Sequence, residues 1–406
     1  MMKPDLVVTR LHAFSLFAFS AFVCFSIAGA HISLGLLSVC VVLQVMRRKK
    51  EQQNGNGTNP ASRFDFLRLG LEWPLAIFFL SALVSTALSA KPLDSFLHLK
   101  HLLIAAGAYA VAYSLRFQPA WRTPVLWIFL STATLASLWG LLELALGWSR
   151  KVQSTQSTTM TWGAMCAMFT LITLQAALTS KAMPGLWSAR LFFLPQLLAL
   201  LLSLVRGAYL GFAAGAVYLL HRHWKRLLPA AIIILVVAGL LMPAIVRERI
   251  TSMFDLQNTT ILVRLTQWRI ATEIIADHPF FGVGLHDLAY LTRQYAWPDP
   301  ALPEIVNQDV FHIGHYHSTY FTLAVCFGLV GLLAFGGLVF RLAQSLGKAL
   351  RHSDSEEAGA VIWACRAALI SFLVAGGFDW TFGDAEVITM FWFLAGMGLG
   401  QSRRSE

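Results

Sequence analysis

Long apolar runs separated by short polar or charged stretches set the pattern of this chain. A run of roughly 20 apolar residues bounded by charges matches one helical crossing of a bilayer. Read this way, the chain predicts twelve helices, near 11–29, 31–46, 73–90, 101–115, 124–147, 161–180, 190–205, 207–221, 228–246, 317–340, 360–377 and 387–401. The first run has no clear small-residue cleavage site and is followed at once by a second, so it is expected to be a retained span. Residues 51–62 (EQQNGNGTNPAS) form a polar linker with too little apolar surface to fold alone. No repeat of fixed period is present. The expectation is an all-α polytopic membrane protein, one integrated domain made of spans in 1–246, a long loop at 247–315 and further spans in 316–406.

That loop is the longest connection, and a long loop in a compact protein is usually functional or disordered. Its composition predicts order. Thr259 and Thr260 can cap a helix from about Ile261 to Ala276, with Ile261, Leu265, Trp268, Thr272 and Ile275 on an apolar stripe and Arg264, Gln267 and Glu273 nearer the polar side. The helix is expected to lie along the outer membrane–water boundary. Pro279 stops it after Asp277-His278, and Gly282 and Gly284 permit a sharp turn. Trp297, Pro298, Pro300 and Pro303 suggest an irregular lid.

Composition agrees with a membrane protein. Hydrophobic residues make up 57% of the chain and charged residues 13%, whereas soluble domains carry roughly a quarter charged residues. The net charge of +10 does not imply nucleic acid, because the basic residues lie between apolar runs and form no basic stretch with interleaved aromatics. They serve as topology signals. Arg47, Arg48, Lys49 and Lys50 place the second connection on the cytoplasmic side, and strict alternation then puts both termini there too. About twenty Lys and Arg residues fall inside and about ten outside on this assignment. The five cysteines all lie within apolar runs without C-x-x-C spacing, which indicates neither a disulfide framework nor a zinc site.

Three groups of residues at the outer side can carry chemistry. Arg206 interrupts almost wholly apolar sequence, so it either snorkels to headgroups or faces a cavity where an anion compensates it. Arg264 stands four residues before Trp268, where the two can stack on one helix face. Arg247, Arg249 and Arg269 are nearby and can equally be solvated or bound to lipid phosphate. Two arginines from different elements can grip a diphosphate, because guanidinium groups pair with phosphate oxygens and stay charged. His312, His315 and His317 form the second group. A zinc site is disfavoured there, since 315 and 317 share a face only in extended chain and no acidic partner stands at regular spacing. A neutral imidazole can instead accept a hydroxyl proton or hold a phosphate oxygen. Asp379, Asp384 and Glu386 form the third. Asp384-Ala385-Glu386 is a possible acidic metal motif of glycosyltransferases, but structural or arginine-pairing roles are favoured, with Asp379 the better candidate for orienting a cation or histidine.

These residues also carry a resemblance. His317-Ser318, nine residues, then Gly328-Leu329-Val330-Gly331 is similar to the O-antigen ligase pattern of a histidine, a small polar residue, nine positions and Gly-x-x-Gly. The two threonines that often follow are Leu332 and Leu333 here. Arg264, Trp268 and the stretch from Asp277 to Gly284 resemble the outer-loop segment of the O-antigen ligase and polymerase superfamily, and Arg206-Gly207-Ala208 resembles an arginine-glycine step in an earlier helix. The N-terminal half matches in hydropathy alone.

The resemblance implies a GT-C-like, metal-independent, inverting glycosyltransferase without a cofactor, in the bacterial inner membrane. It would move a glycan from undecaprenyl diphosphate to a sugar hydroxyl of lipid A-core on the periplasmic face, completing lipopolysaccharide. Arg206, Arg264 and His317 would be catalytic, with His317 as general base or diphosphate ligand. Arg206, Arg264, His315, Trp268 and Asp379 would bind substrate, and membrane lipids would surround the protein. An O-antigen polymerase or a protein O-oligosaccharyltransferase would use the same donor with another acceptor. A transporter or flippase would be expected to show paired inverted repeats and broken helices, and the sequence shows neither.

Overall fold

The computed structural model describes residues 4–53, 68–179, 186–221, 244–252, 255, 257–286, 288–295, 303–304 and 314–402. Most of the predicted span at 228–246, most of the 51–62 linker, the lid residues Trp297, Pro298 and Pro300, and His312 lie outside them. Among the described residues no β-strand is formed beyond an isolated bridge between Ser353 and Ser402.

The helices are α1 (Pro4–Phe22), α2 (Ile27–Gln53), α3 (Glu72–Leu88), α4 (Pro92–His98), α5 (Ala106–Phe117), α6 (Arg122–Ala145), α7 (Thr159–Leu178), α8 (Leu186–Leu202), α9 (Arg206–His221), α10 (Ala244–Thr251), α11 (Thr259–Asp277), α12 (Ala289–Tyr295), α13 (Thr319–Arg351), α14 (Glu356–Ala375) and α15 (Ala385–Leu399). A 3-10 segment over Leu99–Ala105 joins α4 to α5, so the predicted 101–115 helix begins earlier and is broken. Six helices are long and apolar enough to cross a membrane, and four shorter apolar helices accompany them among the described residues. All five cysteines are free and buried.

Two ends of the bundle can be told apart. At one, the start of α7 meets the start of α15, where Thr161 Oγ1 donates to Asp384 Oδ2 at 2.5 Å. There too the Thr319 amide at the start of α13 donates to the Gly376 carbonyl after α14 at 2.7 Å. At the opposite end Arg122 reaches Asp354 at 3.1 Å and Arg116 Nε donates to the Leu399 carbonyl at 3.2 Å. Arg206, at the start of α9, and the helix α11 belong to the first end.

What holds α11 there is a break in α13. Gly328 adopts φ +67°, ψ −174° inside that 33-residue helix, which frees backbone groups on either side of the kink. The turn after α11 fills them. Val283 N–H donates to the Val325 carbonyl and Gly284 N–H to the Cys326 carbonyl, both at 2.9 Å, while Leu329 N–H donates to Pro279 O at 2.8 Å and Val330 N–H to Phe280 O at 3.2 Å. Ser85 of α3 adds a hydroxyl bond to the Cys326 carbonyl at 2.6 Å. The contact is backbone to backbone: a Cβ at Gly328 would lie 2.2 Å from Phe280 O, and one at Gly282 would lie 2.3 Å from Val325 O. Two glycine-bearing stretches more than forty residues apart thus exist to fit each other.

The face of α11 differs from the one its sequence predicts. Its buried residues are Val263, Gln267, Ile270, Ala271 and Ile274, whereas Leu265 is 46% exposed. Apolar periodicity does not select the docked face where lipid can solvate apolar side chains as well as protein can. The cap is likewise Asn258, whose side chain accepts from the Thr260 amide, one residue ahead of the predicted threonines.

Candidate active site

Arg206 opens α9 directly after Leu204, a non-glycine residue at φ +57°. That left-handed turn costs about 1–2 kcal/mol, and it aims the Leu204 carbonyl at Arg249 of α10, whose Nε donates to it at 2.9 Å. Arg206 itself is 8% exposed and gives one hydrogen bond, from Nη2 to Ser252 Oγ at 2.6 Å. Its Nε and Nη1 are buried and have no partner among the described residues. Guanidinium groups are rarely buried with donors vacant, because each lost hydrogen bond leaves desolvated charge behind.

Arg264 repeats the pattern from another element. Its Nε is buried and has no partner among the described residues. Burial pushes this guanidinium down, the Asp379 carboxylate raises it, and Arg249 lowers it again. Arg206 also feels the charges of Arg249 and Arg264. Three arginines from α9, α10 and α11 therefore lie close enough to feel one another's charge, and among the described residues Asp255 acts against that charge at Arg206 and Asp379 at Arg264. Guanidinium groups with unpaired buried N–H donors, as on Arg206 and Arg264, have the chemistry to bind an anion.

The histidines stand on the far side of Asp379. Residues 314–318 are not helical, and His317 sits at φ +43°, a second strained backbone position beside the same site. The segment is pinned from several directions: Trp268 Nε1 donates to Tyr316 O at 3.0 Å, Tyr316 N–H donates to Thr322 Oγ1 at 3.2 Å, and the buried Tyr316 hydroxyl pairs with Thr292 at 3.1 Å. The His315 and His317 rings meet edge to face at 4.8 Å. His317 Nδ1 lies 3.4 Å from Asp379 Oδ1. Asp379 also accepts from the Trp380 amide at 2.9 Å and its backbone carbonyl accepts from Thr319 Oγ1 at 3.1 Å. Burial pushes the Asp379 carboxyl up, but the His317 hydrogen bond and charge, the Trp380 amide and His315 outweigh it and hold the group below its ordinary value. For His315, burial dominates, with the neighbouring His317 adding to it and Asp379 opposing, and lowers the ring to about 4. His315 is therefore neutral at pH 7, and an ionised Asp379 faces His317.

The sequence argument against a metal here fails on geometry. Chain extension at 314–318 does bring His315 and His317 together, and Asp379 supplies the acidic partner, with the three ligand atoms within 4.8 Å of one another. Tetrahedral zinc at roughly 2.0–2.1 Å bonds would require a tighter set, and the Arg264 guanidinium, which feels the Asp379 charge, opposes a dication.

The structure therefore gathers Arg206, Arg264, His315, His317 and Asp379 at one end of the bundle. Trp268 is there as well, but its ring stacks on Phe321 at 5.5 Å instead of on Arg264, and its indole N–H is used on the Tyr316 carbonyl. Arg269 points away into an exposed pair with Glu273 at 3.7 Å. Asp384 caps α15, accepting from the Glu386 and Val387 amides, and so takes the structural role favoured for it. Arg249, Ser252 and Tyr316 were not distinguishable in advance. Arg249 looked like either of its arginine neighbours until the turn at Leu204 selected it.

No curated relative matches the chain. Residues 191–336, which include Arg206, Arg249, Arg264, His315, His317 and the Gly328 kink, match the family model described as O-antigen ligase.

Proposed function

We propose that this protein is an O-antigen ligase of the bacterial inner membrane, with its arginine–histidine end on the periplasmic side and both termini in the cytoplasm. It transfers a glycan from undecaprenyl diphosphate to a sugar hydroxyl of lipid A-core. The reading adds substrate, direction and residue roles to the glycosyltransferase-like character of the family. One observation carries it: buried guanidinium nitrogens of Arg206 and Arg264, on separate helices, have no hydrogen-bond partner among the described residues, and Arg264 feels the charge of the Asp379 carboxylate that pairs with His317.

The chemistry follows from those groups. With Nδ1–H directed at Asp379, His317 presents the Nε2 lone pair to the acceptor hydroxyl. The acceptor oxygen attacks the anomeric carbon as its proton passes to Nε2. The bond from that carbon to the diphosphate oxygen breaks on the opposite face, so the configuration inverts. The leaving undecaprenyl diphosphate keeps the electron pair, and Arg206 and Arg264, with Arg249 behind them, neutralise its charge in place of a divalent cation. Asp379 stabilises the imidazolium formed. His315, neutral beside it, offers a hydrogen bond without adding charge.

Complementation of cells lacking their own ligase tests the reading. O-antigen should return to lipid A-core with the wild-type gene and not with Arg206→Ala, Arg264→Ala or His317→Ala. Longer glycan left on its carrier, with none on lipid A-core, would show an O-antigen polymerase instead. Purified protein should turn over in EDTA; activity lost to the chelator and restored by magnesium would refute the metal-independent step.

A further inference from the structure

The docked face of α11 holds one residue that its apolar neighbours do not account for. Gln267 is 0% exposed on the face it shares with Val263, Ile270, Ala271 and Ile274, and neither its Oε1 nor its Nε2 has a partner among the described residues. A buried amide with both ends vacant is destabilising, and an apolar side chain of similar length would avoid the penalty. Its position suggests what compensates it. Arg264, with its own vacant buried Nε, precedes it by three residues, a spacing that puts two side chains next to each other on a helix. Trp268, the residue after it, is bonded to Tyr316 immediately before His317. Gln267 therefore sits on the turn of α11 that carries both Arg264 and the Trp268 tie to the histidine segment.

The amide narrows the ligand by chemistry. A diphosphate only accepts hydrogen bonds and could satisfy Nε2 but not Oε1. A sugar hydroxyl or an acetamido group donates and accepts, and so fills both vacancies. The sugar joined to the diphosphate is covalently fixed beside whatever Arg264 holds. We infer that Gln267 binds the first sugar of the lipid-diphosphate donor through such a group and contributes to the selection of that sugar. This rests on the donor assigned under the proposed function.

The test separates sugar from diphosphate. Full-length protein in nanodiscs is assayed for equilibrium binding of radiolabelled undecaprenyl diphosphate, either bare or carrying one sugar with a 2-acetamido or a 2-hydroxyl group. Gln267→Leu should melt at or above the wild-type temperature without ligand, and bind the bare carrier as wild type does. It should bind at least one of the glycosylated carriers about 10- to 100-fold more weakly, and the carrier that suffers more identifies the group recognised. Gln267→Met, closer in shape, repeats the measurement if leucine disturbs packing. Wild-type affinity of both variants for both glycosylated carriers would overturn the inference, as would an equal loss for bare and glycosylated carriers. Arg264→Ala serves as the independent arm: loss of the bare carrier supports the donor reading whatever Gln267 does, and its retention refutes that reading separately.

Discussion

Gly328→Ala should uncouple the loop helix from the membrane bundle. Gly328 lies at φ +67°, where an L side chain costs about 1–2 kcal/mol, and the new Cβ would meet Phe280 O at 2.2 Å and Phe281 N at 2.5 Å. Both contacts are backbone, so no side chain can swing aside; the 279–284 turn must move. The bonds first affected are Leu329 N–H to Pro279 O and Val330 N–H to Phe280 O. Each contributes a net stabilisation of about 0.5–1.5 kcal/mol, and more if its partners stay dry. The sum is about 2–5 kcal/mol against the docked loop. Because α11 carries Arg264 into that dock, activity should fall with stability. Gly336→Ala is the control: it lies in the same helix, has nothing within 4 Å of an added Cβ, and should unfold at or slightly above the wild-type midpoint. Thermal unfolding of the two purified variants in one detergent, with glycan transfer measured in parallel, decides the matter. If Gly328→Ala unfolds and works like Gly336→Ala, the backbone dock is not what holds the site together.

Arg206→Lys and Arg264→Lys keep the charge but lose the planar fork and should each lower transfer about 10- to 100-fold; full activity in a steady-state assay would exclude paired contacts to the diphosphate. Asp379→Asn should reduce kcat roughly 10²- to 10⁴-fold with little change in donor KM, and a purely binding defect would contradict its place behind His317. His315 titrates near 4 in the folded protein against 6.5 for an unperturbed histidine. The unfolded chain therefore binds more protons between these values, and the stability that neutral His315 provides is complete above pH 6.5 and lost as pH falls toward 4. His315→Gln should flatten that part of an unfolding-midpoint curve, and an unchanged curve would show that His315 is not buried neutral.

Hydropathy alone outlined the membrane helices, because a bilayer demands long apolar stretches wherever the chain crosses it, and predicted helices such as 124–147 and 161–180 differ from α6 and α7 by only two residues at each end. The loop helix and its stop at Pro279 were legible for a comparable local reason. Which face of α11 docks was not, since Leu265 in lipid and Ile270 in protein satisfy the same apolar preference. Arg206, Arg264, His317 and Asp379 stand out singly in sequence as charges or rings at the edges of apolar runs. That Arg264 comes under the charge of Asp379, that Arg249 bonds the turn before Arg206, that the two histidines come together and that Gln267 is buried on the docked face of α11 depend on the kink at Gly328 and the turns at Leu204 and His317. Local sequence determined where the helices run; contacts between segments more than forty residues apart, many of them made by backbone groups that carry no residue-specific signal, decided what those helices bring together.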